Sequence, residues 1–438
     1  MVSCKRSPVA ILLERFAATG GKIGIKVEDS IDFMKFSKRT EWNTEESDLA
    51  RAHRERLAAG GPISDLTTSN PTRCGFNYAT DLLSPLADGT AFDYDPDPRG
   101  SLRAREAVCR YYRQHGAAIE PGQVLLTTST SEAYGYLFKL LCDPGDEVLV
   151  PQPSYPLFDF LAVAEAIELA SVPLVYDHGW QLDLEGLRRQ IKGNTRAVVL
   201  VHPNNPTGHF TKLEEARELA SICREHGLGL IVDEVFLDYG LEIAMQQDAQ
   251  DRSSFAARDL GIPVFIVSGI SKICGLPQMK VAWIVALGPG SEEALARLEV
   301  LADTYLSMNA PVQRALPAWL ETRAGVQGQI WDRVRGNLTS LDQALAQSAE
   351  KWRGAGQLAD RLRFEGGWYA VLRIPAVQAD ELTARELLEL GVWLHPGYFF
   401  GMRESGWLVV SLLAPAAEFS QGVALLMEYL QQKCASCF

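Results

Sequence analysis

Between residues 123 and 288 short apolar runs alternate with stretches of helical periodicity. The runs fall at 124–127, 147–150, 197–201, 228–232, 264–267 and 281–286. Each is short enough for a strand buried on both faces. Between them, 131–141 places Ala133, Leu137 and Leu141 on one helical face, and 212–226 does the same with Leu213, Ala216, Leu219 and Ile222. Strand–helix–strand repetition predicts an α/β domain with a mainly parallel sheet.

The flanks read differently. A helix is predicted over 45–59, stopped by Gly60, Gly61 and Pro62, and Asn70-Pro71-Thr72 marks a turn. After about residue 292 the pattern turns helical through Trp352. Strand-like runs follow at 368–374 and 407–413, with helices at 379–390 and 417–431. This predicts a smaller α+β domain, completed by the N-terminal helix. The expected division is an extension over 1–42, an N-terminal part of the small domain over 43–90, the large domain over 91–322, and the rest of the small domain over 323–438.

Composition narrows the function. The 438 residues are 47% hydrophobic and 22% charged, an ordinary globular balance. A net charge of −13 argues against nucleic acid, whose phosphates need a basic face. No apolar run approaches the ~18 residues of a membrane helix. Glu14 and Arg15 end the short apolar run 8–13, so a secretory signal is not expected, and the reading is cytoplasmic. The eight cysteines are scattered, as in a reduced compartment, and the histidines lack metal-ligand spacing. Cys434 and Cys437 form a C-x-x-C with no second pair, read as part of a frayed tail.

In a parallel α/β sheet, ligands bind beyond the carboxyl ends of the strands. The first run is followed by Thr128-Ser129-Thr130-Ser131 at a helix start, either an anion site or a simple N-cap. The third leads into His202-Pro203-Asn204-Asn205-Pro206-Thr207-Gly208, strong turn chemistry but by itself only a loop. The fourth ends on Asp233 and Glu234, carboxylates able to cap a helix, bind a metal or face a ligand cation. The fifth leads to Ser268-Gly269-Ile270-Ser271-Lys272, where a strand-end lysine is a candidate imine-forming amine, although most lysines are solvated surface.

Taken in order, NNPTG, then DE, then SK-x-x-GLP resemble the fold-type I pyridoxal 5'-phosphate (PLP) enzymes, in the class I/II aminotransferase branch. Tyr94 to Gly100 (YDPDPRG), Pro144 to Val148 (PGDEV), Pro151 to Tyr155 (PQPSY) and Pro396-Gly397 add to the likeness, which runs from about residue 43 to the C-terminus. The resemblance implies an aspartate-aminotransferase-like fold: a large PLP-binding domain with a mainly parallel sheet plus a smaller α+β domain. It implies that Lys272 holds PLP as an aldimine and then carries the proton. Asp233 would pair with the pyridinium nitrogen, Asn205 would donate to the ring 3-oxygen, and Tyr155 would stack on the ring. Ser129, Thr130 and Ser131 would hold the phosphate, with Ser271 and Lys280 closing the site. Tyr94 would reach it from a second subunit, implying a homodimer with shared sites.

Three departures stand out. Phe236 occupies a position usually tyrosine, so one hydrogen bond to the 3-oxygen is lost and the aldimine should hold its proton to higher pH. Lys280 replaces a phosphate-binding arginine, losing the bidentate fork, and Gly269 replaces a hydroxyl residue, with Ser268 beside it. Weaker cofactor retention is expected. Finally, Val409 stands where an arginine usually clamps the substrate carboxylate. Arg403 is the nearest substitute cation, against the plainer reading of a solvated loop residue.

The leading function is amino transfer between an amino acid or amine and a keto acid, with an atypical substrate. The alternative is a PLP lyase or decarboxylase on the same fold, made credible by the missing arginine. A DNA-binding regulator reusing the fold would need a winged helix of some 60–70 residues in front. Only about 40 residues precede the likeness, and the chain is acidic. Trp368, Tyr369, Trp393 and His395 suggest an aromatic-rich second domain, or only its core.

Overall fold

The computed structural model describes residues 34–241, 250–306, 308–352 and 358–435. The first 33 residues of the expected extension, and Cys437, lie outside them. A short strand β1 (Ser64–Asp65) precedes the large sheet, which takes β2 (Val124–Thr127), β3 (Glu147–Gln152), β4 (Glu168–Tyr176), β5 (Trp180–Leu182), β6 (Thr195–Val201), β7 (Gly229–Asp233), β8 (Val264–Gly269) and β9 (Ala282–Leu287). Its order is β2-β9-β8-β7-β6-β3-β4-β5. Neighbours from β8 through β4 pair parallel, while β9 runs antiparallel to both β8 and β2. Thus β2 points the same way as the parallel core. The carboxyl ends at Thr127, Gln152, Val201, Asp233 and Gly269 therefore share one edge.

The continuous apolar runs are split residue by residue between two faces. Leu126, Val198, Leu200, Leu230, Val232 and Ile266 join one buried cluster, together with the helices Leu102–Gln114 and Leu213–His226. Leu125, Val199, Val201, Ile231, Phe265 and Val267 join the other, under the helices Thr130–Leu141, Leu157–Glu165 and Ser291–Tyr305. Each such side chain contributes roughly 1.5–3 kcal/mol of burial, so the sheet is a rigid platform for whatever sits on its edge.

The smaller sheet is antiparallel and takes β10 (Asp360–Arg361), β11 (Tyr369–Arg373), β13 (His395–Pro396) and β14 (Trp407–Ser411), in the order β10-β11-β14-β13. β12 (Val392–Trp393) pairs parallel with β1. That pairing and the ring stack of His53 on Trp393, 4.2 Å apart, tie the N-terminal helix Asp48–Ala58 to the C-terminal quarter. The helices Ala324–Lys351 and Ala416–Ala435 back the smaller sheet. The frayed tail is a misreading as far as Ala435: the last helix runs that far, and Cys434 is packed in the core. Its apolar residues Leu426, Met427 and Leu430 bury one face, which carries the helix one further turn to Cys434.

The strands β4 and β5 were not foreseen. β4 lies next to the sheet edge and buries deeply only Val172 and Leu174, so it shows no continuous apolar run. The helix Leu102–Gln114 was missed too; its buried face mixes Ala104, Ala107 and Val108 with Cys109, Tyr111 and Tyr112.

Candidate active site

Asp233 is the last residue of β7, and Lys272 follows β8 in the one-turn helix Ile270–Ile273. Ile270 and Ile273 are fully buried and anchor this turn, and Tyr239 Oη donates to the Lys272 carbonyl at 2.8 Å. The lysine Nζ lies 4.9 Å from the Trp368 ring and 5.7 Å from the Phe236 ring, which meet edge to face. In this aromatic box burial pulls the Lys272 pKa down to about 8, against the opposing pull of Asp233. Burial acts on Asp233 in the other sense, pushing its carboxyl up to about 6. Tyr134 Oη donates to it at 3.1 Å and the Val235 amide at 3.0 Å. Glu234, next in sequence, faces elsewhere: it accepts from Ser254 Oγ and the Phe255 amide, a structural role.

The loop after β6 divides its work between two asparagines. The Asn204 carbonyl accepts from the Gly208 amide at 2.7 Å, and its side chain accepts from Thr207 Oγ1 at 2.8 Å. Asn204 thus closes the turn. Asn205 is buried, yet its Oδ1 has no hydrogen-bond partner among the described residues. Register places the two chain segments side by side: Val201 pairs with Asp233, and the His202 amide donates to the Asp233 carbonyl at 2.8 Å. A buried amide without a partner is costly unless a ligand completes it.

The expected phosphate cradle converges by topology. Ala282, the first residue of β9, pairs with both Thr127 and Gly269. Ser129, Thr130, Ser131, Ser271 and Lys280 therefore stand at the ends of three adjacent strands. Lys280 is solvent-exposed with φ +55°. Ser129 also serves as the N-cap, accepting from the Glu132 amide at 3.1 Å, so its hydroxyl is engaged in the plainer of its two roles. No side chain fits at Gly269: a Cβ there would stand 2.7 Å from the Val281 carbonyl. Gly100 closes the YDPDPRG loop at φ +85°, where a Cβ would meet Leu126 at 2.6 Å.

Other expected residues are more scattered. Tyr155 is half-buried and lines a cavity of about 130 Å³ with Gln152, Ser154 and Phe400. Tyr94 is 81% exposed. Arg403 is exposed, with no hydrogen bond or ion pair among the described residues. Val409 is fully buried in the middle of β14.

A family model for aminotransferase class I and II matches residues 78–421. The chain belongs to that family. Its cofactor is PLP. The groups described fit that cofactor: a desolvated carboxylate in want of a cation, a buried amide oxygen without a partner on the same strand edge, and an amine of lowered pKa. The glutamate-pyruvate aminotransferase AlaA of Escherichia coli (strain K12) is 30% identical over 268 residues, 59% of this chain and 63% of that protein. The S-alkyl-thiohydroximate lyase SUR1 of Arabidopsis thaliana is 30% identical over 245 residues, 55% of this chain and 52% of the plant protein. The chain thus spans less than two thirds of either relative. The solved alanine aminotransferase from Pyrococcus furiosus shares the fold, with a TM-score of 0.79 over 91% of this chain and 100% of that one, at 22% identity.

Within this aminotransferase fold, Tyr134, Tyr239 and Trp368 contact Asp233 or Lys272 of the candidate site, and sequence reasoning missed them in those roles. Tyr134 carried a weak signal, one turn into the helix that starts the phosphate cradle. Tyr239 and Trp368 carried none, because their partners lie 33 and 96 positions away in Lys272. Among the described residues no His/Cys/Asp/Glu group is arranged to hold a metal, and no helix is long and apolar enough to cross a membrane.

Proposed function

We propose that the protein is a PLP-dependent aminotransferase exchanging an amino group between an amine or amino acid and a keto acid, with Lys272 as its catalytic residue. The observation that carries this is the placement on one strand edge of a lysine amine boxed by Trp368 and Phe236 and a buried carboxyl held by Tyr134 and Val235, with burial lowering the amine's pKa and raising the carboxyl's. When bound, PLP supplies the electron sink that lets a bond at the amine-bearing carbon break. Lys272 holds the cofactor and then moves a proton through Nζ, and its lowered pKa leaves a sizeable neutral fraction near pH 8. Asp233, held by Tyr134 and Val235, keeps a positive charge on the ring nitrogen. Asn205 would donate from its side-chain amide nitrogen to the ring oxygen, and Tyr155 would cover the ring face.

Ser129, Thr130, Ser131, Ser271 and Lys280 hold the phosphate. The exposed loop neighbours Phe92 and Tyr94 meet a second copy in a homodimer with shared sites. Cys74, Cys109, Cys142, Cys223 and Cys274 are unpaired thiols, in keeping with a cytoplasmic setting. The exposure of Arg403 suits a solvated residue better than a carboxylate clamp.

The second reading, a lyase or decarboxylase, is favoured by Val409, which leaves that strand without a carboxylate clamp. The absorption spectrum of the PLP-loaded protein separates the two. An amino donor that converts the cofactor to its pyridoxamine form without added acceptor supports transfer. Release of ammonia or carbon dioxide with no conversion supports the lyase.

A further inference from the structure

The face of the smaller sheet that meets Phe400, which shares a cavity lining with Tyr155, can be read from register. Val371 pairs with Val409, Val409 with His395, and Tyr369 with Ser411, so these five side chains share one face. Phe400 lines the Tyr155 cavity and lies 6.3 Å from the Tyr369 ring and 5.7 Å from the His395 ring. Ser411 Oγ is engaged, donating to the Thr68 carbonyl at 2.5 Å. Val371 and Val409 are apolar and buried. Arg373, further along the same face, is turned to Asp360 at 3.2 Å. Tyr369 is hydrogen-bonded to the Ser69 side chain. His395 is left: 5% exposed, with its Nδ1 partnerless among the described residues.

A substrate group that reached this row, as the resemblance implies for the position of Val409, would meet two valines, one imidazole and the engaged Tyr369. A carboxylate would lose its water without gaining a cation, which is costly. A hydroxyl or amide would lose less and would find a hydrogen-bond partner. We infer that His395 is a specificity-determining residue, hydrogen-bonding a neutral polar group of the amino donor beside Val409, so that the preferred donor carries a hydroxyl or amide there instead of a carboxylate. This rests on the aminotransferase reading. Burial holds the imidazole neutral, with its pKa lowered to about 3, so one ring nitrogen donates and the other accepts.

The test uses the PLP-loaded protein and three matched donors: L-alanine, L-alaninol and L-alaninamide. Their conversion of the cofactor is followed for the wild type and for His395→Phe, His395→Gln and His395→Arg. The wild type is expected to favour alaninol or alaninamide over alanine by at least roughly tenfold in kcat/KM. His395→Phe should lose roughly tenfold on the favoured donor, the usual cost of leaving one buried polar group unpaired, mainly through KM. His395→Gln should recover part of that loss, and His395→Arg should shift preference toward alanine. A merely structural histidine would leave the donor ratio unmoved.

A wild type that prefers alanine overturns the inference even if every variant misfolds, and leaves amino transfer standing. An unchanged donor ratio in a folded His395→Phe does the same. Failure of the wild type to convert any amino acid, amino alcohol or amide overturns the transfer reading and this inference with it.

Discussion

Replacing Asp233 with asparagine should make the cofactor-free protein more stable while making it a poorer host for PLP. Burial raises the Asp233 carboxyl from 3.8 to about 6. Between those values the folded chain holds a proton that the unfolded chain has released. Stability from this group is therefore greatest at low pH and falls as pH rises through the window. A shift of about two units corresponds to roughly 3 kcal/mol lost once pH passes 7, at about 1.4 kcal/mol per unit. Asp233→Asn carries no such cost, and its Oδ1 can still accept from the Val235 amide. Urea denaturation of the two cofactor-free proteins should favour the variant by up to about 3 kcal/mol at pH 7.5 and by only about 1 kcal/mol at pH 4.5. With PLP present the order reverses. The buried charge that a pyridinium would neutralise is gone, and breaking such a pair costs about 3–5 kcal/mol. The PLP-dependent rise in Tm should shrink accordingly. A variant that is less stable at pH 7.5, or whose advantage does not change with pH, would refute the reasoning.

Three further outcomes follow from the same geometry. Gly269→Ser reinstates a hydroxyl common in the family, yet its Cβ would press on the Val281 carbonyl; a loss of roughly 1–3 kcal/mol is expected in thermal or urea denaturation, and unchanged stability would contradict the close approach. Phe236→Tyr should lower the pH midpoint of the bound cofactor's visible absorbance by returning a hydrogen-bond donor near Lys272, and an unmoved midpoint would place the ring away from residue 236. Trp368→Ala opens the aromatic box around Lys272, so the amine pKa should climb from about 8 toward its ordinary 10.5. The alkaline shift should appear in the pH dependence of amine modification in the cofactor-free protein.

Much of this site was legible because its chemistry lies at the ends of apolar runs. A strand buried on both faces stands out in sequence, and the next residue after it is, by topology, on the ligand edge. The segments that hold Asn205, Asp233 and Lys272 stood out this way, their roles followed only from the family resemblance, and the structure brings all three segments to one edge. Legibility failed where partners are remote or patterns mixed. The antiparallel insertion of β9 between β2 and β8 has no sequence signature, yet it sets Lys280 beside Ser129 and Ser271. The aromatic box of Phe236 and Trp368 joins residues 132 positions apart, a distance no local periodicity spans. Of the aromatic residues noted near the C-terminus, Trp393 is core against His53, whereas Trp368 reaches Lys272. Only cross-strand register separated His395 from the rest, by setting it next to Val409.

The most direct test of the central assignment is to load the protein with PLP, reduce it with borohydride, digest it and map the modified lysine by mass spectrometry. The expected result is a single pyridoxyl group on the peptide containing Lys272, absent from Lys272→Ala. A modification on Lys280 or another lysine, or none at all in a folded, PLP-saturated sample, would contradict it.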